Sequence, residues 1–414
     1  MATPVIDILL AQKFLPQHGG SIAWMFNVYS RWPAPVEVVT HDYYNVALGT
    51  AEFPDKAPRP TPADGSAGRP ADHVTHPNLV MDRRDIFLRD WGLDRPWKWK
   101  RYWRMMSAVK ERLRRRPEAT VRVHCIHAVP EAASLIPLKW RYGRRLKIIS
   151  YAHGEEVTAC CTSRQLKFLM HRAHAACDRM IANSQNTSRL LANHVAASKV
   201  VVIHPGVDLP AFDGAAEAGE RLRMERSWRD RLIVLTLARM DARKNQAAVM
   251  RAVKALASRY PNLLYVIAGG GQMKESLVKL AGELELGERV VFTGEVDGAM
   301  KLGLYGACDV FAMPAIQVGS DVEGFGMVFL EAGACGKPCI AGSSGGQAEA
   351  VTDGQAGFVV DGAQQAAVTA ALDRLLADAG LRQRMGEAGR ARASSQDWPR
   401  VVQRTVDLAD SLLK

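Results

Sequence analysis

The sequence predicts a doubly wound α/β protein of two domains, each built around a mostly parallel sheet. Three observations carry that prediction. Short runs rich in β-branched residues alternate with longer amphipathic stretches along the chain, which is the pattern of repeated βαβ units. The 414 residues exceed what one hydrophobic core serves and fit two domains of roughly 150–200 residues. A Pro-Gly turn in HPGVDLPAF, residues 204–212, separates two such series and is where a linker belongs. The expected division is residues 1–205, residues 206–392, and a C-terminal helix over 393–414.

In the first half the strand candidates are 5–10, 36–40, 121–127, 146–151 and 179–182. Residues 53–80 are rich in Pro, Ala, Asp and Gly without periodicity and are expected as a long loop, a lid or an acceptor-binding element. In the second half the strands are 231–237, 263–268, 289–293, 308–313 and 338–341, with helices over 245–258 and 272–284. The tail reads as two helices with Trp398 between them.

Composition excludes several classes. Apolar content of 48% and charged content of 23% are those of an ordinary globular protein. No run approaches the ~18 uninterrupted apolar residues of a membrane span, and MATPVIDILLAQKF lacks a basic leader region and reads as a first core strand. Seven cysteines without a CxxC pair point to a reduced, cytoplasmic setting. The net charge of +11 is concentrated in residues 97–116, which carry nine Lys/Arg against one Glu. As a helix this segment gathers Trp99, Tyr102, Trp103, Met106, Val109 and Leu113 into one stripe, with Arg101, Arg104, Lys110, Arg112 and Arg115 around much of the rest. The stripe reads either as the inner face of a packed helix or as a peripheral contact with an anionic inner membrane face. No nucleic-acid partner is expected.

Glu323 and Glu331, eight residues apart, bracket the glycine-rich run DVEGFGMVFLEAGACG. With a helix starting near Gly326, Glu323 lies on the loop before it and Glu331 about two turns in. Glycines at 324 and 326 allow close backbone approach, and a helix N-terminus offers N–H groups to phosphate oxygens. That arrangement suits a sugar nucleotide, with hydroxyls at both ends and charge in the middle. Arg239 and Lys244 follow the strand 231–237 at a spacing of five and would neutralise a diphosphate at the next helix start without a metal ion. His153 ends a strand before Gly154, and polar groups at the carboxyl ends of parallel strands face the ligand crevice. His127 ends the preceding strand candidate and reads equally as core or cleft. Gly19 and Gly20 open a helix after the first strand and can offer N–H groups to a ligand oxygen. There is no GxxxxGK[ST], HExxH, Cys/His zinc spacing or Asp-x-Asp pair at the nucleotide site, so neither a metal nor another cofactor is expected.

These motifs resemble the retaining sugar transferases of GT-B type, family 4, which includes phosphatidylinositol mannosyltransferases and sucrose synthases. The family's E-x7-E is met by Glu323 and Glu331, and its G-R-x4-K-G by Arg239 and Lys244, with Ala238 and Asn245 at the two glycine places. The likeness covers most of the chain and is strongest over 230–362. It implies two Rossmann-like domains facing a cleft, an N-terminal acceptor domain, a C-terminal nucleotide-sugar domain and a last helix crossing back to the first. It also implies that His153, Arg239, Lys244 and Glu323 act in catalysis. Donor contacts would come from Gly19, Gly20, Gly294, Val296, Gly324, Phe325, Gly326, Met327, Val328 and Glu331, with the ribose on Glu331 and the donor sugar on Glu323. The implied activity is retaining transfer of a hexose, mannose from GDP-mannose first, to a hydroxyl of a glycan or lipid-linked acceptor. A donor phosphate oxygen would take the acceptor proton. A UDP-sugar donor, an epimerase and a non-catalytic nucleotide-sugar binder are the alternatives.

Overall fold

The structure is a computed structural model that describes residues 4–15, 19–42 and 76–413. Thirteen strands are present among them: β1 (Val5–Ala11), β2 (Val36–His41), β3 (Leu79–Arg84), β4 (Thr120–Cys125), β5 (Leu146–Ala152), β6 (Arg179–Ala182), β7 (Val200–Val202), β8 (Leu232–Leu237), β9 (Leu263–Ala268), β10 (Val290–Gly294), β11 (Val310–Met313), β12 (Cys339–Gly342) and β13 (Gly357–Val360). They form a seven-stranded sheet in the order β3-β2-β1-β4-β5-β6-β7 and a six-stranded sheet in the order β10-β9-β8-β11-β12-β13. Every pairing is parallel. Helices cover both faces of each sheet, so the inner strands are mostly apolar on both faces rather than alternating, with Asp7, Arg122 and His124 of β1 and β4 as buried polar exceptions.

Both strand orders reverse direction once, between β1 and β4 in the first sheet and between β8 and β11 in the second. Loops leaving the carboxyl ends of two such strands diverge and leave a crevice, which is where open α/β sheets bind ligands. Two crevices therefore exist, and the predicted site residues fall around them.

Three strands escape the sequence reading. β3 (LVMDRR) carries three charges, which an edge strand tolerates, while β7 and β13 have only three and four residues. Of the loop expected over 53–80, residues 53–75 lie outside the described ones, and residues 79–80 begin β3.

The C-terminal helix Trp398–Asp410 returns to the first sheet. It opens on Asp397, whose side chain caps Arg400 N. Trp398, Val401, Val402 and Ala409 are buried in one cluster with Trp24, Met25 and Tyr29 of the helix Gly20–Tyr29. Arg122 of β4, ion-paired to Asp7 at 2.7 Å, also reaches Asp410. A helix with one apolar stripe and a charged end that meets a buried arginine has one place to dock.

The basic segment is the helix Pro96–Arg115, but its faces differ from the expected stripe. Met105, Ala108, Val109 and Leu113 point into the core, and Tyr102 and Met106 pack at its margin. Trp99 and Trp103 instead point outward, 60% and 59% exposed. Arg112 is drawn inward by Glu37 and Asp82 of β2 and β3, both at 2.8 Å, while Arg101 and Arg104 pair with Asp85. Carboxylates on neighbouring strands thus rotate the helix away from the orientation that its aromatics alone would choose.

Candidate functional site

The second crevice begins where β8 ends. Arg239, Asp241, Arg243 and Lys244 occupy the turn that leads to the helix Gln246–Leu256. Asn245 takes the left-handed conformation there (φ 59°), and its side-chain amide donates to Pro314 O and Gly362 O. Asparagine tolerates that conformation and adds two tethers, which accounts for its standing where the resembled motif has glycine. Lys244 is 12% exposed and its Nζ lies 2.5 Å from Glu323 Oε2. Arg243, which the sequence reading passed over, donates to the same oxygen at 2.5 Å and faces Asp321 at 2.9 Å. Burial alone would raise the pKa of Glu323, but Lys244 and Arg243 outweigh it and hold the carboxyl below its usual value. Arg239 stands apart at the mouth, 71% exposed and 3.2 Å from Asp241.

Glu323 lies on the loop that precedes the helix Met327–Ala334. Gly326 is its N-cap at φ 85°, in the left-handed region that glycine takes most readily. Gly324 packs so tightly on the end of β5 that a Cβ would meet His153 O at 2.2 Å. Glu331 is the fifth helical residue, a little over one turn in rather than two. Its oxygens are held by Lys301 Nζ at 2.6 Å and Tyr305 OH at 2.8 Å, both from the helix Gly298–Ala307. Phe325 and Leu330 are buried, whereas Met327 and Val328 are only partly covered at the start of the helix.

Loops of the first sheet close on this cluster. A Cβ on Gly20 would touch Met327 Cε at 3.6 Å, a Cβ on Gly154 would lie 3.8 Å from Gly324 Cα, and Thr158 Oγ1 donates to Ser320 O at 2.7 Å. Gly19, next to Gly20, precedes the helix Gly20–Tyr29. His153 is fixed by three bonds: its N–H donates to Glu156 Oε1 at 2.7 Å, its carbonyl accepts from Asn183 Nδ2 at 2.9 Å, and its Nε2 lies 3.1 Å from Ile126 O. Burial, followed by the neighbouring charge of His127, pushes its pKa down to about 3, so the ring is neutral near pH 7. Further along the seam Glu349 accepts from Gln185 N, Asn186 N and His204 Nε2 at 2.7, 2.9 and 3.0 Å, joining a helix start of the first half to the second.

The structure thus brings together His153, Lys244, Glu323, Gly20, Gly324, Gly326 and Met327. Glu331, with its own partners, sits just behind them on the same helix. Gly294 (φ 71°) ends the edge strand β10, and Val296 follows two residues on. Beside them a cavity of about 310 Å³ opens against Trp228, Glu295, Asp297 and Met300. It includes Val296, one of the expected donor contacts, but none of Arg239, Arg243, Lys244, Glu323 or Glu331, so that charged cluster rather than this cavity marks the diphosphate chemistry. Among the described residues no group of three or more His, Cys, Asp or Glu is placed to hold a metal ion.

Comparison with known proteins gives matches in both halves of the chain. Residues 220–392 match the family described as Glycosyl transferases group 1, and residues 63–210 match Glycosyltransferase Family 4. A GDP-mannose-dependent alpha-(1-6)-phosphatidylinositol monomannoside mannosyltransferase of Mycolicibacterium smegmatis is 37% identical over 265 residues, 64% of this chain and 69% of the relative. A D-inositol 3-phosphate glycosyltransferase of Streptomyces avermitilis is 36% identical over 248 residues, 56% of this chain and 52% of that one. Among solved structures, Anabaena HepE in complex with UDP superposes with a TM-score of 0.75 at 17% identity, covering 98% of this chain and 100% of the other. A sucrose-phosphate synthase of Thermosynechococcus elongatus gives 0.73 at 20% identity, covering 98% and 99%.

Proposed function

Because the chain belongs to glycosyltransferase family 4, whose members transfer sugars with retention, we propose that it moves a hexose, mannose from GDP-mannose first, to a hydroxyl of a glycan or lipid-linked acceptor. The observation that carries this reading is the Lys244–Glu323–Arg243 cluster at the second crevice, facing His153 and Gly20 across the seam. Residues 1–205 would supply the acceptor side and residues 206–392 the donor side. The diphosphate would lie between Arg239, Lys244 and the start of the helix Met327–Ala334, where helix N–H groups and two cations meet charge that grows as the anomeric bond breaks. Those cations would do this without a metal ion. Lys244 would then be shared between Glu323 and the phosphates. Glu323 would hold the donor sugar hydroxyls through its second oxygen, and Glu331 the ribose.

Support for a guanine base comes from Glu295. Its carboxylate lies over Gly270, where a Cβ would meet Oε1 at 3.3 Å, at the ends of β9 and β10. Guanine presents two adjacent N–H donors to such a group, whereas uracil presents one N–H between two carbonyls. For the acceptor side, Trp97, Trp99 and Trp103 stand exposed on the helix Pro96–Arg115 with Lys100, Lys110 and Arg114 beside them. Exposed tryptophan interleaved with cations suits a peripheral contact with anionic lipid.

The test is release of free sugar from GDP-mannose, UDP-glucose, UDP-galactose and UDP-N-acetylglucosamine by the purified protein. GDP-mannose should turn over fastest. Preferred turnover of a UDP-sugar would overturn the donor assignment, an epimerised nucleotide sugar would overturn the transferase reading, and tight binding without turnover would make the chain a binder.

A further inference from the structure

The seam between the two halves carries a carboxylate to which the donor chemistry above gives no role. Glu349 lies in the one-turn helix Gln347–Ala350 of the second half. Its Oε2 accepts from Gln185 N at 2.7 Å and from His204 Nε2 at 3.0 Å, and its Oε1 accepts from Asn186 N at 2.9 Å. Gln185 and Asn186 open the helix Gln185–Leu191 of the first half, and His204 follows β7 in the segment that joins the halves. A carboxylate accepts and does not donate, so all three hydrogens come from its partners. Burial alone would raise the pKa of Glu349, but those three bonds outweigh it and hold the carboxyl below its usual value. One charged group thus ties the first half, the linker and the second half together.

Gly345 and Gly346, which lead into the helix of Glu349, press on the loop that carries Glu323. Gly346 N donates to Glu323 O at 2.8 Å. A Cβ on Gly345 would meet Glu323 O at 2.3 Å, and one on Gly346 would meet Gly324 O at 2.0 Å and Ser184 Oγ at 2.7 Å. Ser184 is the N-cap of the helix Gln185–Leu191. Gly346 is therefore wedged between the Glu323 loop and the helix start that Glu349 holds. From another side His204 stacks on Phe325, with ring centroids 5.2 Å apart at 23°. Phe325 is buried, so its ring anchors the loop.

We propose that Glu349 is a positioning residue for sugar transfer: it locks the loop 323–326 against the first half of the chain, with His204 as the arm through which it holds Phe325. The inference rests on the glycosyltransferase reading of the cleft. On that reading the nucleotide is bound by groups of the second half, namely Arg239, Lys244, Glu331 and the start of the helix Met327–Ala334. Glu323 and His153, by contrast, come from opposite sides of the seam and must stand together around the donor sugar. Glu349 stands behind Gly346 and His204 and acts through them.

Nucleotide affinity should survive the loss of Glu349, because every group assigned to the nucleotide lies in the second half. Turnover should not, because a shift of about 1 Å between reacting groups costs about 100-fold in rate. Without the carboxylate, Gln185 N and Asn186 N lose their acceptor at a helix start. His204 loses its tether at the same time, and the two halves are freed to separate.

The test compares the full chain with Glu349→Ala, Glu349→Gln, His204→Ala and His204→Phe. For each, calorimetry gives GDP affinity, hydrolysis of GDP-mannose gives kcat and KM, a melting curve gives Tm, and small-angle X-ray scattering gives the radius of gyration. Glu349→Ala should lower kcat about 30- to 100-fold and enlarge the radius of gyration, with GDP affinity within about 3-fold of wild type. Glu349→Gln keeps one acceptor oxygen and should fall between the two. His204→Ala removes a stack and a hydrogen bond and should lose about 10-fold in kcat. His204→Phe restores a ring against Phe325, leaves Glu349 its two backbone bonds, and should recover most of that loss. A folded Glu349→Ala with kcat within about 3-fold of wild type, or with a loss confined to GDP affinity, would overturn the proposal, as would a radius of gyration equal to that of the wild type. A wild type that hydrolyses no nucleotide sugar would refute the donor reading, and the scattering of Glu349→Ala would then still decide whether Glu349 holds the two halves together.

Discussion

Replacing Lys244 with alanine tests the charged cluster most directly. In the free protein Lys244 shares Glu323 Oε2 with Arg243, and both carboxylate and ammonium are largely buried. Breaking a buried ion pair outright costs about 3–5 kcal/mol because a charge is left unpaired. Here Arg243 remains on the same oxygen, so the stability loss should stay near the 1–3 kcal/mol of one charge-assisted hydrogen bond. The catalytic loss should be the larger of the two. A cation aimed at a developing oxyanion is worth about 2–4 kcal/mol in the transition state, which is about 30- to 1000-fold in kcat/KM. Because the charge on the departing diphosphate grows along the reaction, most of the loss should appear in kcat, with a smaller rise in KM. Initial rates of GDP-mannose hydrolysis give the kinetic numbers, and a melting curve separates them from unfolding. Donor kinetics within 3-fold of wild type in a folded variant would refute the reasoning, because Lys244 would then serve Glu323 alone.

Other outcomes follow from the same geometry. Activity should survive EDTA, since Arg239 and Lys244 supply the positive charge; an absolute requirement for magnesium or manganese, read by adding each back, would contradict this. Glu331→Ala frees Lys301 and Tyr305 and should weaken GDP binding by calorimetry, whereas an effect confined to turnover would remove Glu331 from the ribose. Protein carrying Trp99→Ser, Trp103→Ser and Lys100→Glu should lose flotation with anionic vesicles while keeping donor hydrolysis, and wild-type flotation should weaken with salt as surface charges are screened over about 8 Å at physiological ionic strength; a wild type that does not float at low salt would end the membrane reading. His174 is buried, and burial followed by His194 and His171 pushes its pKa down to about 3. Its native form therefore binds fewer protons than the unfolded chain between that value and about 6.5. Stability from this group is complete above about 6.5 and is lost as pH falls, so Tm should decline below that pH, and less steeply in His174→Leu. Equal slopes would assign the decline to other groups, such as His41, which burial pushes to about 4.

How far the sequence reveals this molecule depends on whether the deciding interaction is local. Parallel inner strands are covered on both faces, so β1, β5, β8 and β9 read as apolar runs whose limits differ from the observed ones by at most a residue. β3 defeats the same reading because an edge strand can carry Asp82 and Arg84, which here pair with each other and, through Glu111 and Arg112, with a helix. Asp82 in turn helps draw Arg112 inward and so leaves Trp99 and Trp103 in solvent. A hydrophobic periodicity cannot contain that result, since the helix has two apolar arcs and the choice between them is made by carboxylates on other elements.

The candidate site divides in the same way. Glu323, Glu331, Arg239 and Lys244 are legible as a spacing, and the glycines between them as places of close approach. Arg243 is not, because one more cation in a basic turn looks like a solvated edge until Glu323, 80 residues on, shares an oxygen with it. Lys301 and Tyr305, which hold Glu331, lie four apart on an unremarkable amphipathic helix. Glu349 has a plainer signal, an acid three residues past a glycine pair, but that spacing names none of its partners: Gln185 and Asn186 lie 164 and 163 residues back, and His204 stands in the linker. His127, legible at a strand end, faces Glu131 at 3.7 Å, and the hydrogen bond from Gln12 N to Glu131 joins the loops after β1 and β4. Those loops flank a crevice because the chain crosses to the other side of β1 there. Chemistry written in one loop is readable from the sequence, while chemistry written between two loops waits for the topology that sets them side by side.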